Sequence, residues 1–175
     1  MTTWAYDMKY CPNCGNKLHK EFIDERYRLV CDECGFVFWN NPIPVVAAIV
    51  PYKGGIVLVK SSIRKTWGLP AGHVEYGDTA EKRVILEVKE ETNLDAEIDE
   101  YIGTWNKSDH ANLLIIVFSV KVNGGDLKPG GDAEAVKVFS IDEAKRILKG
   151  KAAEKALNKW LKMRNRTPHD NICLL

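Results

Sequence analysis

The stretch GHVEYGDTAEKRVILEVKEETNL, residues 72–94, concentrates carboxylates in a pattern suited to chemistry. Wound as a helix at about 100° per residue, Glu87, Glu90 and Glu91 stand at i, i+3 and i+4, on one face. Three like charges on neighbouring turns repel, and that repulsion costs helix stability unless a cation compensates it. Hard oxygen donors at this density suit Mg²⁺ or Mn²⁺. The loop just before the helix, with Gly68, Pro70 and Gly72, can add a backbone carbonyl to the same ion. Ala80 and Leu94 fall within about 20° of Glu87 on the helical wheel, so this face is partly turned toward the protein.

A second cluster suits a softer metal. Cys11-x2-Cys14 and Cys31-x2-Cys34 are separated by 16 residues, a spacing that predicts one zinc ion held by four thiolates in a ribbon, not a disulfide framework. A glycine closes each pair, Gly15 and Gly35, and lets the loop wrap back so that N–H groups approach sulfur. Phe22–Val30 between the knuckles is turn-free, strand-compatible sequence. Zinc needs reduced thiols, which places the chain in a cytosol-like compartment. Cys173, near the end, is expected to be a free thiol on a tail.

The elements that must position these groups follow from punctuation and periodicity. Asn40-Asn41-Pro42 and Pro44 divide a small segment, 1–40, from a larger domain, 41–166, with a tail at 167–175. Val45–Val50 is a buried-strand run, Lys53-Gly54-Gly55 a hairpin turn and Ile56–Lys60 the returning strand. Thr79 or Asp78 caps the carboxylate helix, which runs to Thr92. Strands are expected at 96–105, 113–122 and 135–139, with turns at Asn123-Gly124-Gly125 and Pro129-Gly130-Gly131. Helices start at Ile141 and span Ala152–Met163. Strands and helices mix without strict alternation, which predicts an α/β (α+β) fold, a mixed sheet flanked by helices. The chain has 175 residues and a net charge of +1, so overall charge selects no strongly acidic or basic partner. The longest apolar runs are six residues, far short of the ~20 a membrane span needs, and no secretory signal is visible at the start.

Residues 72–94 resemble the Nudix box, G-x5-E-x7-R-E-U-x-E-E-x-G-U with U aliphatic, at Gly72, Glu87, Val88, Glu90, Glu91 and Leu94. The loop Trp67–Glu75, the entry Asn41-Pro42 and the stretch Asp132–Glu143 are similar to family sequence, so the likeness covers roughly 42–148. The preceding ribbon is similar to the arrangement in NADH pyrophosphatases, ADP-ribose pyrophosphatase-like proteins and related zinc-ribbon Nudix hydrolases. The resemblance implies an α/β/α sandwich and divalent-metal-dependent hydrolysis of a nucleoside diphosphate linked to another group. It implies Glu87, Glu90, Glu91 and the Ala71 carbonyl as Mg²⁺ or Mn²⁺ ligands. A helix acid or a loop acid, here Glu134, would be the general base.

Three positions depart from the box: Asp78 for Glu, Leu86 for the Arg beside Glu87, and Asn93 for Gly. Arg83, four residues before Glu87, can replace the missing arginine. Arg64 and Lys65 can contact phosphate, and Phe38, Trp39 and Trp105 can stack on a base. His73 and His110 read as packing or surface residues. The S-Q-P-W motif of NADH-selective members is missing from 95–111, so ADP-ribose, a dinucleotide or another substrate of the class stays open. A second reading is a degenerate scaffold that senses a nucleotide or binds nucleic acid or protein, through the ribbon and a basic amphipathic helix carrying Ala153, Ala156, Leu157, Trp160 and Leu161 on one face.

Overall fold

The computed structural model describes residues 8–107 and 112–165, apart from the Lys107 side chain. Among these residues the elements run β1 (His19–Ile23), β2 (Arg26–Val30), β3 (Val37–Phe38), β4 (Ile43–Ile49), β5 (Pro51–Tyr52), β6 (Gly55–Ser61), β7 (Trp67–Gly68), β8 (Ala71–His73), α1 (Ala80–Thr92), β9 (Leu94–Lys107), β10 (Leu113–Gly125), β11 (Ala133–Phe139), α2 (Ile141–Leu148) and α3 (Ala152–Arg164). They divide into two compact units. His110 and Cys173 lie outside the described residues.

The smaller unit reaches Ile43 and includes Lys107, Asn112 and Leu113. Its sheet has the order β1-β2-β3. Phe22–Val30 is not one uninterrupted strand: it turns at Asp24 and Glu25, whose φ values of 49° and 61° are the left-handed pair a two-residue hairpin requires. Neither residue is Gly or Asn, so the turn left little trace in the sequence. The two cysteine knuckles repeat one hydrogen-bond pattern. Gly15 N–H donates to the Cys11 carbonyl at 2.9 Å and Gly35 N–H to the Cys31 carbonyl at 3.0 Å, with φ of 76° and 69° at the glycines. The glycine amides thus close the loops onto carbonyls, and other knuckle amides approach sulfur: Asn13 N–H lies 3.4 Å from Cys11 Sγ, and the Glu33 and Cys34 amides bond Cys31.

The larger unit begins at Pro44. Its strands form two sheets, β8-β4-β10-β9 and β11-β6-β5, with β7 paired to β6. Side chains alternate across these strands, as the two-residue period of a pleated strand demands. Val46, Ala48, Val50, Val57, Phe118 and Val120 pack with Val84 and Val88 of α1. Ala47, Ile49, Ile56, Leu58 and Val117 pack with Ala144 and Leu148 of α2 and Ala156, Leu157 and Trp160 of α3. Helices therefore cover both faces of the strands, a mixed α+β architecture in helix–strand–helix layers.

Three local signals position α1. Thr79 caps its N-terminus, accepting the Lys82 N–H at 3.2 Å, and Asp78 pairs with Lys82 at 2.6 Å. Asn93 takes the left-handed conformation, φ 59°, at the C-terminus, so that β9 starts one residue later, at Leu94. Opposite this turn, β10 extends through Asn123-Gly124-Gly125, which is strand and not the expected turn. Gly125 is required there by close approach, since a Cβ would lie 2.3 Å from the Asn93 carbonyl oxygen.

Candidate functional site

Helix α1 and strand β8 together build the carboxylate site. Val84 and Val88 bury one stripe of the helix and thereby aim the adjoining stripe, Glu87 and Glu91, into the protein. Both glutamates are only 6% exposed, whereas the Glu90 side chain stays half exposed. The fit beneath β8 is tight. A Cβ on Gly72 would sit 1.8 Å from Glu87 Oε1, so only glycine leaves room for that carboxylate. One residue earlier, the Ala71 N–H donates to Glu91 Oε2 at 2.8 Å and fixes its orientation. The loop after β10 closes over the same helix, bringing Gly130 so near the Glu90 carbonyl that a Cβ would lie 2.5 Å from it.

Arg83 sits one turn before Glu87. Its Nε donates to Glu87 Oε1 at 2.8 Å, and its Nη2 bridges Glu87 Oε1 and Glu90 Oε2, the latter at 3.0 Å. The guanidinium is largely buried, so this contact is not a solvated surface pair. Leu86, at the position of the missing box arginine, is 37% exposed.

Burial and like charge shape the electrostatics. Desolvation raises the Glu91 carboxyl to about 8, and the charges of Glu87 and Asp132 raise it further against the Ala71 N–H that lowers it. Desolvation also raises Glu87, opposed by Arg83. Asp132, directly after Pro129-Gly130-Gly131, hydrogen-bonds Glu91 and is a site residue that sequence reasoning did not single out. The available signal was an acid placed by a double-glycine turn. Glu134 lies elsewhere: Lys65 holds it at 2.8 Å and Lys60 at 3.4 Å, and these hydrogen bonds lower its carboxyl below the usual range. Lys65 is thereby engaged, while Arg64 and His73 are exposed. Trp105 is half-buried against the α3 side of the core, with Lys159 Nζ 6.0 Å from its ring, and Phe38 and Trp39 belong to the smaller unit.

The donor chemistry of Glu87, Glu90, Glu91 and Asp132 fits a hard divalent cation: carboxylates, two of them buried and raised chiefly by desolvation, in a cradle kept open by Gly72. In the smaller unit, one ligand atom from each of Cys11, Cys14, Cys31 and Cys34 lies within 4.8 Å of the others, and all four cysteines are free. The Cys11–Cys34 and Cys14–Cys31 sulfur pairs stand 3.5 and 3.4 Å apart, near the spacing of about 3.8 Å across a tetrahedral Zn–S₄ site. Hydrogen bonds from the Asn13 side chain and the Phe36 N–H push the Cys34 thiol well below its usual range, toward the thiolate a metal requires.

Among the described residues, no helix is long and apolar enough to cross a membrane. Comparison with known proteins agrees with the geometry. The NUDIX domain family matches residues 41–161, and the Nudix N-terminal family, a zinc ribbon, matches residues 9–40. An ADP-ribose pyrophosphatase of Methanocaldococcus jannaschii is 29% identical over 139 residues, covering 76% of this chain and 79% of that protein. The NAD-capped RNA hydrolase NudC of Pseudomonas aeruginosa is 26% identical over 141 residues, 79% of this chain, which spans only 50% of that longer protein. A crystal structure of a NUDIX hydrolase from Nitrosomonas europaea superposes with a TM-score of 0.76 at 25% identity, covering 94% of each chain. A domain match over most of the chain, a ribbon match ahead of it, and a fold shared nearly end to end place this chain in the NUDIX hydrolase family.

Proposed function

We propose that the chain hydrolyses the pyrophosphate bond of a nucleoside diphosphate linked to another group, with ADP-ribose the first compound to test. The observation that carries this reading is the pair of buried carboxylates, Glu87 and Glu91, under Gly72, with Arg83 bridging Glu87 and Glu90. A surface acidic stripe needs neither burial nor a glycine cradle. Glu87, Glu90 and Glu91, with the Ala71 carbonyl, would hold Mg²⁺ or Mn²⁺. Such an ion, when bound, neutralises phosphate charge and acidifies a water.

The residues divide the remaining work. Glu91 is the base we favour among the helix acids, since the Ala71 N–H fixes its orientation beside Asp132. Asp132 faces it and biases that proton. Arg83 takes the positioning role that position 86 has lost, holding Glu87 and Glu90 in one orientation. Glu134, clamped by Lys60 and Lys65, is a poor base and instead holds Lys65; the exposed Arg64 would meet phosphate charge. Trp105 offers its ring to the base. In the ribbon, zinc is the metal the four thiols suit, and its need for reduced thiols favours a cytoplasmic setting.

The test is a panel of nucleoside diphosphate derivatives with Mg²⁺ and with Mn²⁺, following released mononucleotide. Turnover of at least one derivative that stops without the divalent cation is expected. Tight nucleotide binding with no turnover on any compound would replace the hydrolase by a nucleotide sensor on the same scaffold.

A further inference from the structure

The smaller unit holds a cleft of about 320 Å³ that the carboxylate chemistry does not use. It is formed within that unit by β2 and by the residues around the end of β3. It is lined by residues 26–29 and 38–40, which include Arg26, Arg28 and Trp39 and no acid. Neither Trp39 nor Tyr27 is a buried residue. Trp39 is 47% exposed and Tyr27 66%. Arg28 lies 4.5 Å from the Trp39 ring centroid and donates from Nη1 to the Trp39 carbonyl at 2.9 Å. One indole face is thus covered by a fixed cation while the side chain remains accessible. Tyr27 is braced edge-on against Phe22, with centroids 5.2 Å apart. Arg26 is exposed, and among the described residues no carboxylate pairs with it within 4.0 Å.

A presented ring beside an unpaired cation matches one ligand chemistry: a flat π-faced group joined to a negative charge. An acidic peptide would engage the arginines but leave the indole without a partner. The volume suits a single small unit, near the lower end of ligand clefts. We propose that this cleft binds one nucleotide unit, its base stacked on Trp39 and its phosphate held by Arg26, presented either by a single strand of nucleic acid or as a free mononucleotide.

The experiment uses the full zinc-loaded chain carrying Glu91→Gln, so that the probe is not consumed. Fluorescence anisotropy of a short labelled oligoadenylate, without added Mg²⁺ or Mn²⁺, reads binding, and unlabelled AMP competes. Saturable binding is expected. Trp39→Ala should weaken it about tenfold or more, whereas Trp39→Phe retains most of it. Arg26→Glu should weaken it and flatten its salt dependence. Zinc content measured on each variant confirms that the ribbon is intact, and the exposed Arg26 change tests the site even where Trp39→Ala loses metal. A strand that binds much more tightly than AMP assigns the strand; equal binding assigns the free nucleotide. Absence of binding by both probes overturns the proposal. So does binding that Arg26→Glu and Trp39→Ala leave unchanged at full zinc content. Neither failure bears on hydrolysis, which the derivative panel measures separately.

Discussion

At the scale of single residues, the site turns on how Arg83 spends its charge. A guanidinium that is largely buried and bound to two carboxylates orders both, and no neighbouring side chain duplicates it. Hydrogen bonds to charged groups are worth ~1.5–3 kcal/mol, so Arg83→Ala should slow turnover roughly ten- to hundredfold with the fold retained. Leu86→Arg in the wild-type background should add little, because Arg83 already holds Glu87 and Glu90. A silent Arg83→Ala alongside an activating Leu86→Arg would reverse the assignment. Gly72→Ala makes a complementary probe. Its methyl must push Glu87 aside, so divalent-metal affinity and turnover should fall together while thermal stability changes little. Glu91 adds a pH signature. Its folded carboxyl, near 8, lies above its ordinary value of 4.5, so the folded chain binds the extra proton between those limits. Stability without added Mg²⁺ or Mn²⁺ should therefore decline as pH rises through that window, by an amount on the order of a few kcal/mol, and Glu91→Gln should flatten the decline. Urea midpoints across the pH range supply the check.

At the scale of elements, α1 shows what the chain makes legible and what it hides. The i, i+3, i+4 acids, the Thr79 cap and the Gly-Pro loop are local signals, and the helix follows them closely. The capping box of α2, Ser140 with Glu143, is equally local. Arg83 was reachable from helical spacing. Asp132 was not, because its approach to Glu91 depends on the path of a loop that arrives from β10, far along the chain. For the same reason the extension of β10 through Gly125 escaped a turn-based reading: those glycines serve packing against Asn93, not reversal. The hairpin at Asp24–Glu25 was hidden by residues that seldom adopt left-handed backbone. Asn93 carries a testable share of this architecture. It holds φ 59° and its Nδ2 donates to the Asp126 carbonyl at 2.9 Å. Asn93→Ala loses both, and about 1–3 kcal/mol of unfolding free energy should go with them. Asn93→Gly recovers the conformation but not the hydrogen bond, and should fall between the two. Denaturant titration of the three chains orders them.

At the scale of the whole molecule, the two units are stabilised by different means. The larger has two apolar clusters, one under α1 and one under α2 and α3, and needs no metal to exclude water. The smaller has little to bury: Cys11, Leu29, Val30 and Cys31 are its only core residues among those described, and two of the four are thiols of the cysteine cluster. So small a core does not offset the conformational entropy of about forty residues, and on the zinc reading a bound ion would supply the difference. Removing it should therefore act on one unit alone. With a strong chelator, amide hydrogens of β1, β2 and the two knuckles should lose protection against exchange, while those of β4, β6, β10 and α1 keep theirs. Cys34→Ser should give the same pattern without chelator, and elemental analysis of the untreated chain should find one zinc per molecule. Protection that survives in β1 and β2 of the metal-free chain would mean that the hairpin and its exposed rings hold together unaided, and the thiols would then need another explanation than structural zinc.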